Sequence, residues 1–170
     1  MHILITGKMG VGKTTLVQRL IKEMRQPITG FVTKKVTHFG SQLSSVHIHS
    51  VTDELRLLSD ANCVGRCDEA GAYAVYPNVF DTLGVKYLEA VSDSVVIMDE
   101  LGFMEREAEV FKQRVLSLLD GEIPVIAVVK DREAPFLEKI KAHENVVLYH
   151  VTLENREAVY RQLSLEVKQL

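Results

Sequence analysis

Apolar residues along the chain recur at spacings that alternate between those of strands and those of helices. The short apolar run His2–Thr6 predicts a buried strand. Segment 13–25 then carries apolar residues at helical spacing, which predicts a helix with one buried face. That face consists of Leu16, Val17, Leu20, Ile21 and Met24.

The next part of the chain is predicted to form a β-hairpin. Segments 28–36 and 44–51 both favour strands, and residues 39–41 between them are typical of a turn. In the second strand, His47 and His49 alternate with apolar residues. Because successive side chains of a strand point to opposite faces, both histidines are expected to face solvent.

The segment after the hairpin is less regular. Residues 59–71 show little periodicity and are predicted to be a loop, and a short strand is expected at 73–76. Apolar residues between Asn78 and Val91 recur at helical spacing, which predicts a helix despite an internal glycine.

The second half of the chain alternates regularly between strands and helices. Strands are predicted at 94–100, 124–129 and 146–151, and helices at 104–119, around 136–140 and at 153–170. Repeated βα units predict an α/β fold of three layers, with helices on both faces of a mostly parallel sheet and the hairpin as an insertion.

Composition limits the class of protein. The 170 residues are 46% hydrophobic and 25% charged, which is typical of one globular domain, 1–170. A net charge of −3 and the absence of a long Lys/Arg run argue against a nucleic-acid partner. No apolar run approaches membrane-spanning length, and a strand beginning at residue 2 leaves no room for a signal peptide. With only Cys63 and Cys67, we expect no disulfide framework and a cytoplasmic protein.

The glycine-rich stretch after the first strand has the spacing G-x-x-x-x-G-K-[ST] of a phosphate-binding loop. It comprises Gly7, Lys8, Met9, Gly10, Val11, Gly12, Lys13 and Thr14. Glycines let successive backbone N–H groups point at phosphate oxygens, Lys13 would reach the β- and γ-phosphates, and the Thr14 hydroxyl would ligate Mg²⁺. The helix that follows, including Thr15, aims its positive end at the anion.

A glycine-rich turn that binds nothing is the alternative to a phosphate-binding loop. That alternative explains the glycines but not the presence of Lys13 and Thr14 directly after them, between a strand and a helix. The sequence therefore predicts nucleotide binding.

Two carboxylates, Asp99 and Glu100, end the apolar strand at 94–100. Ligands of open α/β sheets bind at such strand ends, so Asp99 is expected beside the loop, holding Mg²⁺ through water. Glu100 is then free to orient or deprotonate the water that attacks the γ-phosphate. The alternative is a solvated strand end, or caps for the helix that follows.

Two further groups of residues have side chains that could bind a phosphate or a metal ion. Lys130 and Arg132 follow the strand at 124–129, at the same sheet edge, and either could stabilise the γ-phosphate or simply be solvated. His47 and His49 lie upstream of two cysteines, but these spacings match no common zinc-finger pattern. We therefore expect no zinc site.

With these motifs in place, the chain resembles the small P-loop nucleoside-triphosphatases, typified by thermophile nucleotide phosphatases and the vertebrate cancer-related enzyme. The likeness spans nearly the whole chain and rests on the loop and on segments 30–33, 71–75, 99–105 and 151–156. It implies a RecA-like sheet in which the strand leading to Lys130 lies between the loop strand and the Asp99 strand. It also implies slow, Mg²⁺-dependent hydrolysis of ATP, GTP and other triphosphates with broad base selectivity.

The same resemblance implies that Asn155 and Arg156 contact the base. The alternative makes Thr152 the N-cap of the last helix and Arg156 a solvated charge in its first turn. One stretch departs from the family pattern, because Lys34 and Lys35 stand where the family usually carries acidic residues.

Three functions are compatible with these residues. A nucleoside-triphosphatase is favoured because Glu100 adjoins the metal carboxylate. A nucleoside or nucleotide kinase would bind its second substrate near Lys34 and Lys35, but no arginine-dense lid is present. A GTP-gated switch would need Asn-Lys-x-Asp, which the residues around Lys130 do not supply. The sequence indicates no particular protein partner.

Overall fold

Strands and helices alternate in the computed structural model, which describes residues 1–37 and 43–169. The strands are β1 His2–Thr6, β2 Ile28–Thr37, β3 Ser44–Ser50, β4 Cys63–Cys67, β5 Tyr73–Val75, β6 Val95–Leu101, β7 Val125–Val129 and β8 Val146–His150. The helices are α1 Lys13–Ile21, α2 Pro77–Val79, α3 Val85–Tyr87, α4 Glu109–Leu119, α5 Pro135–Lys141 and α6 Arg156–Val167. A π-helical turn, Phe80–Gly84, joins α2 to α3, and a 3₁₀ turn, Asp60–Asn62, precedes β4.

Among the described residues, the strands form one 8-stranded sheet in the order β5-β4-β3-β2-β6-β7-β1-β8. The neighbours from β2 to β8 in this order pair in parallel. The neighbours from β5 to β2 pair antiparallel. The predicted α/β fold with a mostly parallel sheet is confirmed, as is the position of β7, which leads to Lys130, between β1 and β6.

Two apolar clusters, one on each face of the sheet, make the molecule three layers thick. Alternate residues of each strand enter opposite clusters: Val95 and Ile97 pack with α1 and α6, whereas Val96 and Met98 pack with α4. The apolar stripe of α4 is buried as its spacing predicts, with Phe111 fully inaccessible. Both clusters end beneath the carboxyl ends of the parallel strands, and so support the residues that follow those strands.

The antiparallel part of the sheet is larger than the predicted hairpin. β2 and β3 do pair as expected, but the loop predicted at 59–71 contains β4, which pairs with β3, and β5 pairs with β4 in turn. β4 is only five residues long, and periodicity within 59–71 did not indicate it. The turn predicted at 39–41 lies outside the described residues.

The prediction that His47 and His49 face solvent is wrong. Both side chains are buried, because the segment after β3 folds back over that face. Asn62 lies against both rings, and its Oδ1 is 2.9 Å from His47 Nδ1, while Ser45 Oγ is 2.9 Å from His47 Nε2. Burial lowers the pKa of His49, with a smaller contribution from the neighbouring His47. Within the described residues, no group of three or more His, Cys, Asp or Glu is arranged to hold a metal ion.

Three predicted helices have different bounds in the structure. The helix predicted from Asn78 ends with α3, and Val91 beyond it is 54% exposed instead of buried. The helix predicted at 104–119 begins at Glu109, after turns that bury Met104, and the last helix begins at Arg156. No helix in the described part of the chain combines the length and apolar character needed to cross a bilayer.

Gly30 allows β2 to approach β6 closely. Its φ is +116°, a conformation that favours glycine, and a methyl group in place of its hydrogen would lie 1.9 Å from the Ile97 carbonyl oxygen. Backbone at that distance cannot shift without breaking the β2–β6 ladder. Gly30 is therefore required for the joint between the parallel and antiparallel parts of the sheet.

Gly30→Ala is expected to lower the free energy of unfolding by on the order of 4 kcal/mol or more, through combined backbone strain and overlap. Gly71→Ala is the matched control, because Gly71 also has positive φ, +83°, but a side chain there would meet no atom within 4 Å. It should cost about 1 kcal/mol. Urea denaturation followed by circular dichroism measures both, and equal losses would contradict the role assigned to Gly30.

Candidate active site

The glycine-rich loop between β1 and α1 has the backbone conformation of a phosphate cradle. Gly7, Gly10 and Gly12 all have positive φ, at 143°, 84° and 96°. Lys13 is 8% exposed, and its Nζ donates to the Gly7 carbonyl at 2.6 Å and to the Lys8 carbonyl at 3.0 Å. The ammonium group thus lies inside the loop, where a polyphosphate would compete with those carbonyls for it.

The metal-binding candidates of the two motifs lie in contact. Thr14, at the start of α1, donates from Oγ1 to Asp99 Oδ1 at 3.1 Å, joining residues 85 positions apart. Asp99 is 5% exposed, and burial raises its pKa to about 6, against the opposing effect of the Thr14 hydrogen bond. The carboxyl ends of β1 and β6 therefore place a hydroxyl and a carboxylate side by side, as the parallel sheet predicts.

Glu100 lies in the same cleft but has different partners. The register of β6 against β7 shifts between Asp99 and Leu101, so Glu100 has no paired residue on β7. Its carboxylate is 3.3 Å from Lys130 Nζ, and its side chain is 29% exposed. Thr33 on β2 holds the backbone beneath it, since Thr33 Oγ1 accepts from the Glu100 N–H at 3.3 Å and donates to the Asp99 carbonyl at 3.4 Å.

Asn155 and Arg156 lie beside the loop, at the start of α6. The Arg156 guanidinium lies over Gly12, so close that a methyl group on Gly12 would be 3.7 Å from Arg156 Nη1. The Asn155 side chain forms two hydrogen bonds with the main chain. Its Oδ1 accepts from the Thr152 N–H at 2.8 Å, and its Nδ2 donates to the His150 carbonyl at 2.9 Å. Thr152 Oγ1 accepts from the Asn155 N–H at 3.2 Å, so it stabilises the turn before α6.

A cleft of about 900 Å³ connects the glycine-rich loop to Asp99 and Glu100, but neither Asn155 nor Arg156 lines it. Loop residues form one end, Asp99 and Glu100 lie along it, and Lys35, Tyr73 and Phe103 line it farther along the sheet. Lys130 and Arg132 both line the cleft, and both lie near the Phe103 ring, at 5.5 Å and 5.2 Å from its centroid. The loop and the residues that follow β6 and β7 thus converge on one concave site of the size that small-molecule ligands occupy.

Comparison with known proteins agrees with this geometry. A family model described as NTPase matches residues 2–164. The chain belongs to this NTPase family. Among its relatives is nucleoside-triphosphatase THEP1 of Thermotoga petrophila, 31% identical over 99% of this chain and 93% of that protein. THEP1 of Thermofilum pendens is 34% identical, over 99% and 96%. The cancer-related nucleoside-triphosphatase homolog of mouse is 30% identical, over 93% and 92%.

Two solved structures share the fold. The crystal structure of THEP1 from the hyperthermophile Aquifex aeolicus superposes with a TM-score of 0.73 at 26% identity, covering 96% of each chain. The solution structure of a human cancer-related nucleoside triphosphatase also gives 0.73, at 22% identity, covering 99% of this chain and 97% of that one. The open, mostly parallel sheet is therefore the fold of the NTPase family.

Sequence reasoning missed three residues around the two carboxylates. Thr33 follows Gly30-Phe31-Val32 and looked like an ordinary strand residue, yet it supports both backbones. Arg56 is half-buried, and its positive charge lowers the pKa of Asp99. This effect is smaller than those of burial and Glu100, which raise that pKa, and of Thr14 and Lys13, which lower it. Its φ of 42° is unusual for a residue with a side chain. No local pattern indicated the roles of Thr33 and Arg56, because each depends on contacts distant in sequence.

Glu105 is the third missed residue and the most deeply buried carboxylate of the cleft. It is 2% exposed, and its Oε1 accepts a hydrogen bond from the Gly102 N–H. Burial raises the pKa of Glu105 to about 7. Hydrogen bonds from the backbone N–H groups of Glu105 and Gly102, and the charge of Lys130, have smaller effects in the opposite direction. Glu105 therefore holds the turn that follows β6, and with it the position of Phe103.

The buried Glu105 is expected to make stability depend on pH. Because its folded pKa lies above the ordinary 4.5, the folded state binds more protons, and stability falls as pH rises from 4.5 to about 7. At about 1.4 kcal/mol per unit, the loss is on the order of 3 kcal/mol. Glu105→Gln keeps the acceptor for the Gly102 N–H but removes the ionisable carboxyl group. The unfolding free energy of this variant should therefore change less between pH 5 and pH 8 than that of the parent.

Denaturant unfolding at the two pH values, on the parent and the variant, measures this difference. Glu107→Gln is the matched control, because it makes the same substitution two residues away in a side chain that is 66% exposed. Parallel pH dependence in the parent and Glu105→Gln would contradict the assignment.

Proposed function

We propose that this protein is a Mg²⁺-dependent nucleoside-triphosphatase that hydrolyses ATP, GTP and other nucleoside triphosphates to diphosphate and phosphate. The observation that carries the proposal is the Thr14–Asp99 contact at 3.1 Å, which joins the phosphate loop to the carboxylates of β6. The relatives, which are named as nucleoside-triphosphatases in both thermophiles and mouse, support the same activity. We further infer that residues 1–170 act as one catalytic domain, since a single sheet runs through the described chain.

The residues around Asp99 fit Mg²⁺. A hydroxyl and a carboxylate supply the hard oxygen ligands that this ion prefers, and both face the loop that would hold the phosphates. Asp99 has a pKa of about 6, so it is mostly ionised at neutral pH and available to the ion directly or through water. When bound, Mg²⁺ would neutralise charge on the β- and γ-phosphates.

The loop binds the phosphates in this proposal. Backbone N–H groups between Gly7 and Thr15 surround them, and Lys13 exchanges its two carbonyl acceptors for phosphate oxygens. Exchanging neutral acceptors for anionic ones strengthens the hydrogen bonds of the ammonium group. Lys13 thereby contributes to both binding and stabilisation of the charge that moves onto the leaving diphosphate.

Glu100 positions the attacking water. Its carboxylate lies in the cleft beyond Asp99, and the ion pair with Lys130 orients it. The water oxygen forms a bond to the γ-phosphorus while the bond to the β–γ bridging oxygen breaks, and Glu100 accepts the proton that the water loses. Thr33 keeps the backbone of both carboxylates in place during this step.

Glu100→Gln tests the hydrolase function directly. The variant keeps its shape but cannot accept the proton, so turnover of ATP should fall on the order of a hundredfold or more, while the affinity for Mg·ATP stays near that of the parent. Phosphate release and equilibrium binding measure the two effects. Glu107→Gln, an exposed carboxylate on the following turn, should hydrolyse like the parent. Normal hydrolysis by Glu100→Gln would refute the role of Glu100.

Arg156 is proposed to contact the base. It lies over Gly12 on the side of the loop opposite to β6, and the Asn155 amide fixes the turn that presents it. A guanidinium group stacks on any base, which is consistent with broad selectivity. Asn155 thus acts chiefly through the backbone of this turn.

Arg156→Ala should raise the Michaelis constants for ATP, GTP and CTP together, with little change in turnover number, because a ground-state contact is lost. Steady-state kinetics with the three nucleotides measures this effect. Arg161→Ala, on the exposed surface of the same helix, serves as the control. Unchanged constants for Arg156→Ala would make Arg156 a surface charge only.

A further inference from the structure

The cleft extends farther than the proposed nucleotide needs. Neither Asn155 nor Arg156 is among the residues that line it, so a base beside Arg156 lies outside the cleft. Only the triphosphate would then enter it, at the loop end. Since the volume of about 900 Å³ is near the upper limit of about 1,000 Å³ for small-molecule sites, much of the cleft remains for another ligand.

The remaining space lies on the γ-phosphate side of the nucleotide. Arg156 follows β8, the loop follows β1, and the metal carboxylate ends β6, in that order across the sheet. Lys35 on β2 and Val46 on β3 lie beyond β6 in the same direction. A triphosphate that runs from Arg156 toward Asp99 therefore has its γ end facing them.

This space, here called the distal chamber, has an apolar surface formed by the antiparallel strands and the turn after β6. Val46 lies directly opposite Lys35 in the β2–β3 register, and Gly65 is next to Val46 on β4. Met104 packs over Gly65, where a methyl group would lie 3.2 Å from Met104 Sδ. The Tyr73 and Phe103 rings contact edge to face, with centroids 5.5 Å apart. Tyr73 is 43% exposed, so part of it is available to a ligand.

Cations surround this apolar surface. Lys130 is paired with Glu100, but neither Lys35 nor Arg132 forms an ion pair within residues 1–37 and 43–169. Among the carboxylates beyond Asp99 in the cleft, Glu100 is engaged by Lys130 and Glu105 by the Gly102 N–H, while Asp131 lies between Lys130 and Arg132 in the chain. Unpaired cations beside an aromatic surface are the chemistry that recognises an organic anion with a flat ring.

We propose that the distal chamber is a second ligand site, which binds a small phosphate monoester carrying a flat ring and places it on the γ-phosphate side of the nucleotide. Lys35 and Arg132 bind the phosphate group, and Tyr73 and Val46 contact the ring. The site rests on the proposed function, because the nucleotide defines which part of the cleft stays open.

Phenyl phosphate is the simplest probe that carries both features. The protein is first saturated with Mg²⁺ and a non-hydrolysable ATP analogue, so that the loop is filled, and is then titrated calorimetrically with phenyl phosphate. One equivalent is expected to bind. Inorganic phosphate, which has the charge without the ring, and benzyl alcohol, which has the ring without the charge, should each bind at least tenfold more weakly.

Variants on one strand separate the chamber from general surface charge. Lys35→Met should weaken phenyl phosphate binding about tenfold or more, as should Tyr73→Ala. Lys34→Met is the matched control, because Lys34 is the neighbouring residue on β2, lies opposite His47 and does not line the cleft. It should change the affinity less than twofold.

Three results would overturn the inference: no saturable binding to the nucleotide-loaded protein, equal affinity for inorganic phosphate, or equal effects of Lys35→Met and Lys34→Met. Binding of the ATP analogue is measured first on the same samples. A protein that binds the analogue but not phenyl phosphate loses only the second site. A protein that fails to bind the analogue refutes the proposed function, and the second site with it.

Discussion

The hydrogen bond between Thr14 and Asp99 is the contact on which the organisation of the site depends. It joins residues 85 positions apart at 3.1 Å. Such a contact requires that β1 and β6 run parallel, end at the same level and lie only one strand apart, with β7 between them. Burying the Asp99 carboxylate is unfavourable, as its raised pKa shows, and the hydrogen bond offsets only part of that cost. The apolar clusters on both faces of these strands supply the stability that allows it.

The parallel half of the fold could be predicted because its signals are local. The conformation of the loop follows from glycine spacing, and the burial of α4 from its helical periodicity. The position of Asp99 next to the loop then follows from a general property of parallel sheets, in which successive strand ends meet at one edge. No knowledge of side-chain packing was needed, and these are the parts of the site in which structure and sequence agree.

In the antiparallel half, the β2–β3 hairpin and β5 follow from local patterns, but β4 and the burial of the two histidines do not. Burial of His47 depends on Asn62, whose approach depends on a turn and on β4, and nothing in residues 44–51 indicates either. Glu105 is a different case, since its partner Gly102 is only three residues away, yet a glutamate after Met104 still looks like a surface residue in sequence. A buried polar residue that is satisfied by a hydrogen bond resembles an exposed one in sequence.

The two ends of the cleft consequently differ in the groups that they present. The proposed phosphate site at the loop end consists of main-chain N–H groups, so it would be insensitive to most side-chain changes along the chain. The other end is built from side chains of β2, β3 and β5, and there a single substitution changes the chemistry. Lys34 and Lys35 are neighbours on β2, but alternation along the strand gives them different surroundings: Lys34 lies opposite the buried His47, and of the two only Lys35 lines the cleft. One of these two positive charges therefore acts inside the cleft, at the end far from the loop, and it favours an anion there.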